Sequence, residues 1–212
     1  MTDWANLFKI GLALFAIVNP IGSIPIFITA TLGSTEAERV RIVRLVALTV
    51  FLVLTVSVLI GDRILEFFGI SIPSFQTGGG ILLLLMAISM MHARQSDIRQ
   101  TEEEAQAAAE REATAIVPLS IPLLAGPGAI SSMIIAAQQS SSLLGHVQLL
   151  LPVAAVAALA WAMLRMSGPI ASHLGTIGIN IFTRLMGLIL AAMAVEFIAH
   201  GMIGLFPALA NS

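Results

Sequence analysis

Two apolar stretches of this sequence are interrupted by proline and glycine, at residues 16–25 and 118–128. Proline inside a helix removes one backbone hydrogen-bond donor, and its ring clashes with the carbonyl group four residues earlier, so a helix kinks or breaks there. Each stretch is therefore predicted to form a helix in two pieces. The need to accommodate two broken helices restricts the possible folds of this chain more than any other feature of its sequence.

The two interruptions are related by a fixed spacing. Pro20 and Pro127 are 107 residues apart. The same offset, applied without gaps, superimposes further identical residues along both halves of the chain: Leu12 on Leu119, Val40 on Val147, Gly61 on Gly168, Phe75 on Phe182, Gly80 on Gly187, and Met86 and Ala87 on Met193 and Ala194. The sequence is therefore predicted to contain two copies of one unit.

The composition of the chain indicates whether water or lipid surrounds it. Apolar residues make up 58% of the 212 residues and charged residues 10%, whereas about 25% of the residues in a typical soluble domain are charged. The chain is therefore predicted to be a polytopic membrane protein. Its formal net charge of -2 argues against a nucleic-acid partner, because phosphates would require clustered lysine and arginine. The absence of cysteine excludes disulfides and thiolate metal ligands.

Six apolar runs are candidates for crossing a bilayer. They lie at about residues 4–31, 42–60, 75–91, 115–138, 147–166 and 185–206. The predicted fold is all-α, with six transmembrane helices of which the first and the fourth are broken. We expect Gly61 and Asp62 in the loop after the second run. Gly78, Gly79 and Gly80 lack the Lys-Ser/Thr that follows a phosphate-binding loop, and they are expected to allow close helix packing.

The runs fall into two halves joined by a charged segment. Residues 1–91 form the first predicted three-helix repeat, residues 92–114 a solvated linker with nine charged residues, and residues 115–212 the second three-helix repeat. Together they make one integral membrane domain. A linker of this composition is more typical of a connector between halves than of a binding element.

Lysine and arginine are distributed unevenly between the two predicted sides of the membrane. Lys9 and Arg63 fall on the side of the termini, whereas eight arginines fall on the other side: Arg39, Arg41, Arg44, Arg94, Arg99, Arg111, Arg165 and Arg184. Cytoplasmic loops carry the excess of positive charge, so both termini are predicted to be extracytoplasmic and the linker cytoplasmic. Three crossings per half then place the second repeat upside down relative to the first. If the broken segments instead turn back as re-entrant hairpins, the two halves run parallel.

Three segments resemble the signature segments of a known family. They are residues 19–27 (NPIGSIPIF), 117–131 (VPLSIPLLAGPGAIS) and 183–196 (TRLMGLILAAMAVE), and they are similar to the MarC family of bacterial inner-membrane proteins. The resemblance covers essentially the whole chain. It implies a six-helix protein of the bacterial inner (plasma) membrane that is related to the LysE-type exporters. Some relatives are described as carriers of small neutral amino acids.

The two breaks also predict where a substrate binds. A broken helix in lipid leaves backbone N–H and C=O groups unpaired, at a cost of several kcal/mol each unless protein, water or a ligand satisfies them. We expect free N–H groups near residues 21–23 and 128–130, where the positive ends of restarted helices suit a carboxylate. The alternative is that the prolines and serines only bend and pack the helices. The predicted substrate-binding residues are Asn19, Pro20, Gly22, Ser23, Ser120, Gly126, Pro127, Gly128 and Ser131.

Glu196 is an acidic residue within the sixth apolar run. It lies about 16 Å along that run at about 1.5 Å per residue, which predicts a position near the middle of the bilayer. A carboxylate at that depth suggests a pathway or a proton site, and His200 follows one helical turn later as its expected partner. Our hypothesis is that Glu196 takes up and releases a proton during transport. The alternative is that Glu196 hydrogen-bonds to a neighbouring helix and fixes packing.

These features favour a secondary transporter that works by alternating access, because two repeats supply two half-gates and no nucleotide-binding motif is present to power a pump. We expect no enzymatic activity, no cofactor and no metal site, because the histidines show no ligand spacing and no catalytic group can be assembled. The expected partners are a small-molecule substrate and membrane lipid, and the sequence is compatible with a homo-oligomer. Two alternatives remain open: a structural or regulatory membrane protein that docks through its linker, and a membrane-embedded enzyme.

Overall fold

The computed structural model of the protein describes residues 4–31, 33–92, 124–139 and 143–208, and all regular structure within them is helical. The predicted all-α class is confirmed for this part of the chain. Ser120, a predicted site residue, and all of the predicted linker except His92 lie outside the described residues. The helices within the described ranges are α1 (Trp4–Val18), α2 (Ile24–Ala30), α3 (Glu36–Phe67), α4 (Ile72–Met91), α5 (Pro127–Gln138), α6 (Leu143–Arg165) and α7 (Ser167–Leu205).

Four of these helices, α3, α4, α6 and α7, are long and apolar enough to cross a membrane, and α1 is a shorter apolar helix of 15 residues. The structure thus supports a multi-pass membrane protein, while the full count of six crossings stays a prediction. The expected loop at Gly61 and Asp62 is wrong, because both residues lie inside α3, where Gly61 is buried against Ile134. The last helix also begins earlier than predicted, since α7 starts at Ser167.

Helix boundaries are set by local backbone chemistry that an apolar run does not report. At the start of α3, Thr35 Oγ1 accepts a hydrogen bond from the backbone N–H of Glu38 (3.3 Å), and a Glu38 carboxylate oxygen accepts one from the N–H of Thr35 (2.7 Å). This reciprocal pair is a capping box. Gly69, with φ of 65°, follows α3, and Gly175, with φ of 60°, kinks α7. Glycine adopts this left-handed backbone without the strain that other residues pay.

Two ion pairs show how α3 and α6 run relative to each other. Arg165 Nη1 lies 2.6 Å from Glu36 Oε1, and His146 Nε2 lies 3.9 Å from Asp62 Oδ2. The start of α3 is thus beside the end of α6, and the end of α3 lies beside the start of α6. The two helices are therefore antiparallel, and the two ion pairs mark opposite ends of the helix bundle.

The broken segment made of α1 and α2 runs between these two ends. The first turns of α1 line a cavity together with the start of α4, which follows the end of α3. Through Phe27, α2 lines a different cavity together with the start of α3 and the end of α6. We call these the α1 end and the α2 end of the bundle. The broken segment thus extends between the two ends of the bundle.

Among the described helices, α4 and α7 make the most extensive contact. Two glycines allow the close approach. A Cβ atom at Gly80 would lie 3.0 Å from the backbone oxygen of Ala194, and a Cβ atom at Gly187 would lie 3.1 Å from the backbone oxygen of Ala87. Both distances are tighter than ordinary contact, so the packing depends on glycine at both positions. Positions 80 and 187, and positions 87 and 194, are related by the 107-residue offset.

Candidate functional site

The first break, between α1 and α2, is organised by Asn19. Among the described residues, Asn19 is the one non-glycine residue with a positive φ, of 45°. Asparagine tolerates this left-handed backbone because its short side chain can hydrogen-bond locally. Its Oδ1 accepts a hydrogen bond from the backbone N–H of Gly22 (3.2 Å), and its carbonyl oxygen accepts bonds from the N–H and the hydroxyl of Ser23 (3.2 and 3.1 Å).

These bonds show that the prediction of free N–H groups at the first break is wrong for Gly22 and Ser23. The N–H groups of Gly22 and Ser23 both donate to Asn19, so neither is available to a carboxylate. The left-handed turn at Asn19 brings its side chain back over the next residues, which a pattern of proline and glycine cannot show. At this break, Asn19 itself accepts the hydrogen bonds of the Gly22 and Ser23 N–H groups.

Two polar atoms beside this break have no hydrogen-bond partner. They are the amide nitrogen Nδ2 of Asn19 and the hydroxyl oxygen Oγ1 of Thr183 in α7. The side chains are 1% and 2% exposed. Both atoms lie against the position that a Cβ atom of Gly22 would occupy, at 2.7 Å for Thr183 Oγ1. A donor from the broken segment and a hydroxyl from α7 thus meet at one buried point.

Sequence reasoning did not select Thr183 as a site residue. It begins the segment 183–196, which carries part of the family resemblance, and it is a polar residue just before an apolar run. That signal is weak by itself, because a threonine in a membrane helix often bonds to its own helix. Only the contact with the first break distinguishes it.

The second break lies before α5. Gly126 occupies the position before the first helical residue, Pro127, and no side chain caps this helix. The N–H groups of Ala129 and Ile130 both donate to the carbonyl oxygen of Gly126, at 3.0 and 3.2 Å. The expectation of free N–H groups at 128–130 is therefore wrong for these two residues. The restarted helix satisfies them within its own first turn.

The structure brings the two breaks together. A Cβ atom at Gly128 would lie 3.6 Å from Cγ2 of Ile17, two residues before Asn19. A Cβ atom at Gly79 of α4 would lie 3.0 Å from Cβ of Ser131. Glycine at these positions allows α1 and α4 to approach the start of α5 closely. The predicted site residues at both breaks, apart from Ser120, therefore lie in one region of the bundle.

The serines at the breaks direct their hydroxyl groups to their own helices. Ser131 Oγ donates to the carbonyl oxygen of Pro127 (2.8 Å), and Ser132 Oγ donates to that of Gly128 (2.8 Å). Ser23 Oγ donates to the carbonyl oxygen of Asn19 in the same way. Such bonds often bend helices, as the packing interpretation requires. The serine oxygens keep only their capacity to accept a bond from a ligand.

A cavity of about 270 Å³ with both apolar and polar lining residues lies at the α1 end of the bundle, between α1, α4, α5 and α7. Its inner wall includes Leu14 and Met133, each 1% exposed. Leu14 is five residues before Asn19, or about 7.5 Å along a helix. The buried part of the cavity lining therefore includes a residue close in sequence to the first break. Its polar lining consists of Asn6, Lys9, Gln76, Ser132, Gln139, Glu196 and His200.

Glu196 lines this cavity at the α1 end of the bundle, and its depth in the bilayer stays a prediction. It shares the cavity with Lys9, in the second turn of α1, and with Gln139, the residue that follows α5. The predicted depth was counted from residue 185, whereas α7 begins at Ser167 and continues to Leu205. Glu196 is therefore nearer the α1 end. Its proton-uptake role stays a prediction.

The expected partnership of Glu196 and His200 takes a different form. His200 Nδ1 lies 3.0 Å from the backbone carbonyl oxygen of Glu196, to which it can donate, and not from the carboxylate. His92 and His173 make the same contact with the carbonyl four residues earlier, each at 2.9 Å. Three histidines in the described residues therefore make the same contact, from Nδ1 to the backbone carbonyl oxygen four residues earlier. Within the described residues, no three His, Cys, Asp or Glu side chains are grouped as metal ligands.

Comparison with known proteins gives consistent results. The model of a family described as "MarC family integral membrane protein" matches residues 4–206 of the chain. The UPF0056 membrane protein YhcE of Escherichia coli (strain K12) is 41% identical over 209 residues, which cover 99% of this chain and 97% of that protein. No solved structure matches the chain.

Relatives of similar length occur in distant organisms. The UPF0056 membrane protein YvbG of Bacillus subtilis (strain 168) is 37% identical, and the match covers 94% of this chain and 95% of that protein. The UPF0056 membrane protein MJ1677 of Methanocaldococcus jannaschii is 35% identical, with 91% and 93% covered. These names state a membrane protein and no substrate.

Proposed function

Since the chain belongs to the MarC family of integral membrane proteins, we propose that it is a secondary transporter of small solutes across the bacterial inner membrane. It works by alternating access, and small neutral amino acids are its most suitable substrates. One observation carries this proposal: Asn19 Nδ2 and Thr183 Oγ1 are buried side by side without partners. A buried unsatisfied polar group costs about 1–3 kcal/mol, and a bound solute would remove that cost.

The chemistry of the two atoms suits one end of an amino acid. The Asn19 amide donates hydrogen bonds, and the Thr183 hydroxyl can donate or accept one. A carboxylate oxygen accepts bonds from both. The surroundings are tightly packed, because even a Cβ atom at Gly22 would collide with both groups. The site therefore favours small solutes, and it has to open before a solute can enter.

An inverted repeat is part of this proposal, and three structural observations support it. The segment α1 to α2 extends from the α1 end to the α2 end, as an odd number of crossings per half requires. After its break, α2 leads to the α2 end, whereas α5 leads from the second break to the α1 end. The contacts of Gly80 with Ala194 and of Gly187 with Ala87 exchange under the repeat offset. Two inverted copies would make these contacts reciprocally.

The proposed topology is testable with reporter fusions. A periplasmic reporter at Ser212 should be active and the same reporter near Gln106 inactive, with a cytoplasmic reporter showing the opposite pattern, because arginine is concentrated on the predicted linker side. Fusions at both sites should give membrane-bound protein of full length. Cytoplasmic reporter activity at Ser212 would contradict extracytoplasmic termini.

Transport itself is testable with the purified protein in liposomes. We expect saturable uptake of at least one of glycine, alanine and serine, and exchange of the external solute for the same solute inside. Gly126→Leu should abolish uptake, because Gly126 is buried at the second break and a leucine side chain would fill the site. Liposomes without protein give the background. A folded wild-type protein that moves none of these three solutes would contradict the amino-acid proposal.

A further inference from the structure

The lining of the cavity at the α1 end includes two opposite charges that do not pair with each other. Lys9 faces it from α1, and Glu196 faces it from α7. Within the described residues, the ion pairs are Arg165 with Glu36 and His146 with Asp62, so neither Lys9 nor Glu196 takes part in one. Both residues are exposed, so both charges are accessible to a solute that enters the cavity.

The remaining lining of the cavity is suited to a polar ligand. Gln76 and Gln139 contribute amide groups from α4 and α5, and Ser132 contributes a hydroxyl oxygen. The volume of about 270 Å³ is just below the range of about 300–1,000 Å³ typical of pockets for drug-sized ligands. The cavity is thus large enough for a small solute with some water.

We propose that this cavity is a second solute site, separate from the one at the breaks, and that it binds small zwitterions. The anionic group of the solute lies toward Lys9, and its cationic group lies toward Glu196. A zwitterion is favoured because it pairs both charges at once, whereas an anion would be repelled by Glu196 and a cation by Lys9.

The position of the cavity gives the second site its role. Leu14 and Met133 are buried lining residues of the cavity, and Leu14 lies five residues before Asn19 in the same broken segment. A solute bound between Lys9 and Glu196 is therefore held next to the closed site. It moves inward when the side chains of Leu14 and Met133 move apart. This role rests on the proposed transport function, whereas binding in the cavity does not.

Cysteine labelling tests binding without any transport assay. The chain contains no cysteine, so Ala13→Cys, which lines the cavity, carries a single thiol. We measure how fast N-ethylmaleimide labels this variant in detergent as glycine is added. The rate should fall to about one fifth at about four times the dissociation constant, since occupancy follows mass action. Acetate and methylammonium, which each carry one of the two charges, should protect far more weakly.

Two further variants and one control identify the groups responsible. In the Ala13→Cys background, Lys9→Gln and Glu196→Gln should each raise the half-protecting glycine concentration about tenfold or more, as loss of a charge-assisted contact does. Ser172→Cys, on the exposed surface of α7 away from the cavity, should be labelled at a rate that glycine leaves unchanged. Size-exclusion profiles confirm that each variant is folded.

The outcomes separate this proposal from the transport function. Protection of Ala13→Cys that needs both Lys9 and Glu196 supports the second site, whether or not liposomes take up the solute. Liposome uptake without such protection overturns the second site and leaves the transporter in place. No labelling of Ala13→Cys, while Ser172→Cys is labelled, would show that the cavity is closed to water and would overturn the proposal as well. Equal protection by acetate alone would overturn the zwitterion specificity.

Discussion

Gly80→Leu should strongly destabilise the protein. The backbone oxygen of Ala194 and the backbone nitrogen of Ile198 would lie 3.0 and 2.9 Å from the first added carbon, and backbone atoms cannot move aside without shifting α7. Overpacking of this kind costs about 1–3 kcal/mol and occasionally more. For a chain of this length, the melting temperature should fall by about 2–4 °C per kcal/mol. Thermal unfolding of the purified protein in detergent measures the effect.

A neighbouring glycine provides the matched control. Gly78 lies on the exposed side of the same helix, and a Cβ atom there would meet nothing within 4 Å. Gly78→Leu therefore makes the same chemical change in α4 without the collision, and its melting temperature should stay close to that of the wild type. If both variants melt alike, the close contact between α4 and α7 is not what stabilises the bundle.

Thr183→Val should weaken solute binding without destabilising the fold. Valine has nearly the shape of threonine and lacks the hydroxyl group. Because Thr183 Oγ1 has no partner in the solute-free protein, its removal should leave the melting temperature unchanged or raise it. In the bound state the lost hydrogen bond is worth about 1–3 kcal/mol, which corresponds to about a five- to 150-fold loss of affinity. Solute titrations and thermal unfolding measure the two effects separately.

Thr29→Val is the control for this change. Thr29 lies exposed on α2, and its hydroxyl donates to the carbonyl of Pro25 at 2.9 Å. Its replacement should leave affinity unchanged. A Thr183→Val protein that binds with wild-type affinity, or one that unfolds more readily than the wild type, would argue that the hydroxyl serves packing and not the solute.

The companion change Asn19→Leu is expected to affect both properties. Asn19 supplies the unpaired Nδ2 atom, but its Oδ1 also holds the N–H of Gly22 and its backbone is left-handed. Leucine would lose the possible bond to the solute, leave that N–H without a partner and strain the backbone. From the sequence alone we would expect loss of affinity with an intact fold. The structure makes Thr183→Val the cleaner test.

Much of the architecture could be predicted from residue order. The low charge content and the long apolar runs determined the membrane class, because a chain that cannot be solvated by water must be solvated by lipid. Proline determined that the helix breaks between α1 and α2 and that α5 begins at Pro127, since the missing donor and the ring clash are local properties. The fixed offset between Pro20 and Pro127 pointed to a repeat, and the Gly80 and Gly187 contacts agree with it.

Other features were decided only by the tertiary structure. Hydropathy did not reveal that α3 continues through Gly61 or that α7 begins at Ser167, because it reports where lipid surrounds a helix and not where the helix hydrogen bonds end. For the same reason, hydropathy did not show that Glu196 lines a cavity at the α1 end. The presence of Lys9 and Glu196 in the lining of one cavity depends on helices that are distant in sequence.

The hydrogen bonding of the polar groups at the breaks shows most clearly what could not be predicted from the sequence. Proline and glycine marked the place, but they could not tell that Gly22 and Ser23 donate to Asn19 while Asn19 Nδ2 and Thr183 Oγ1 remain unpaired. Whether a buried polar atom is satisfied depends on every group within about 3 Å of it. For Thr183 those groups come from the other half of the chain, so only the packed structure decides the outcome.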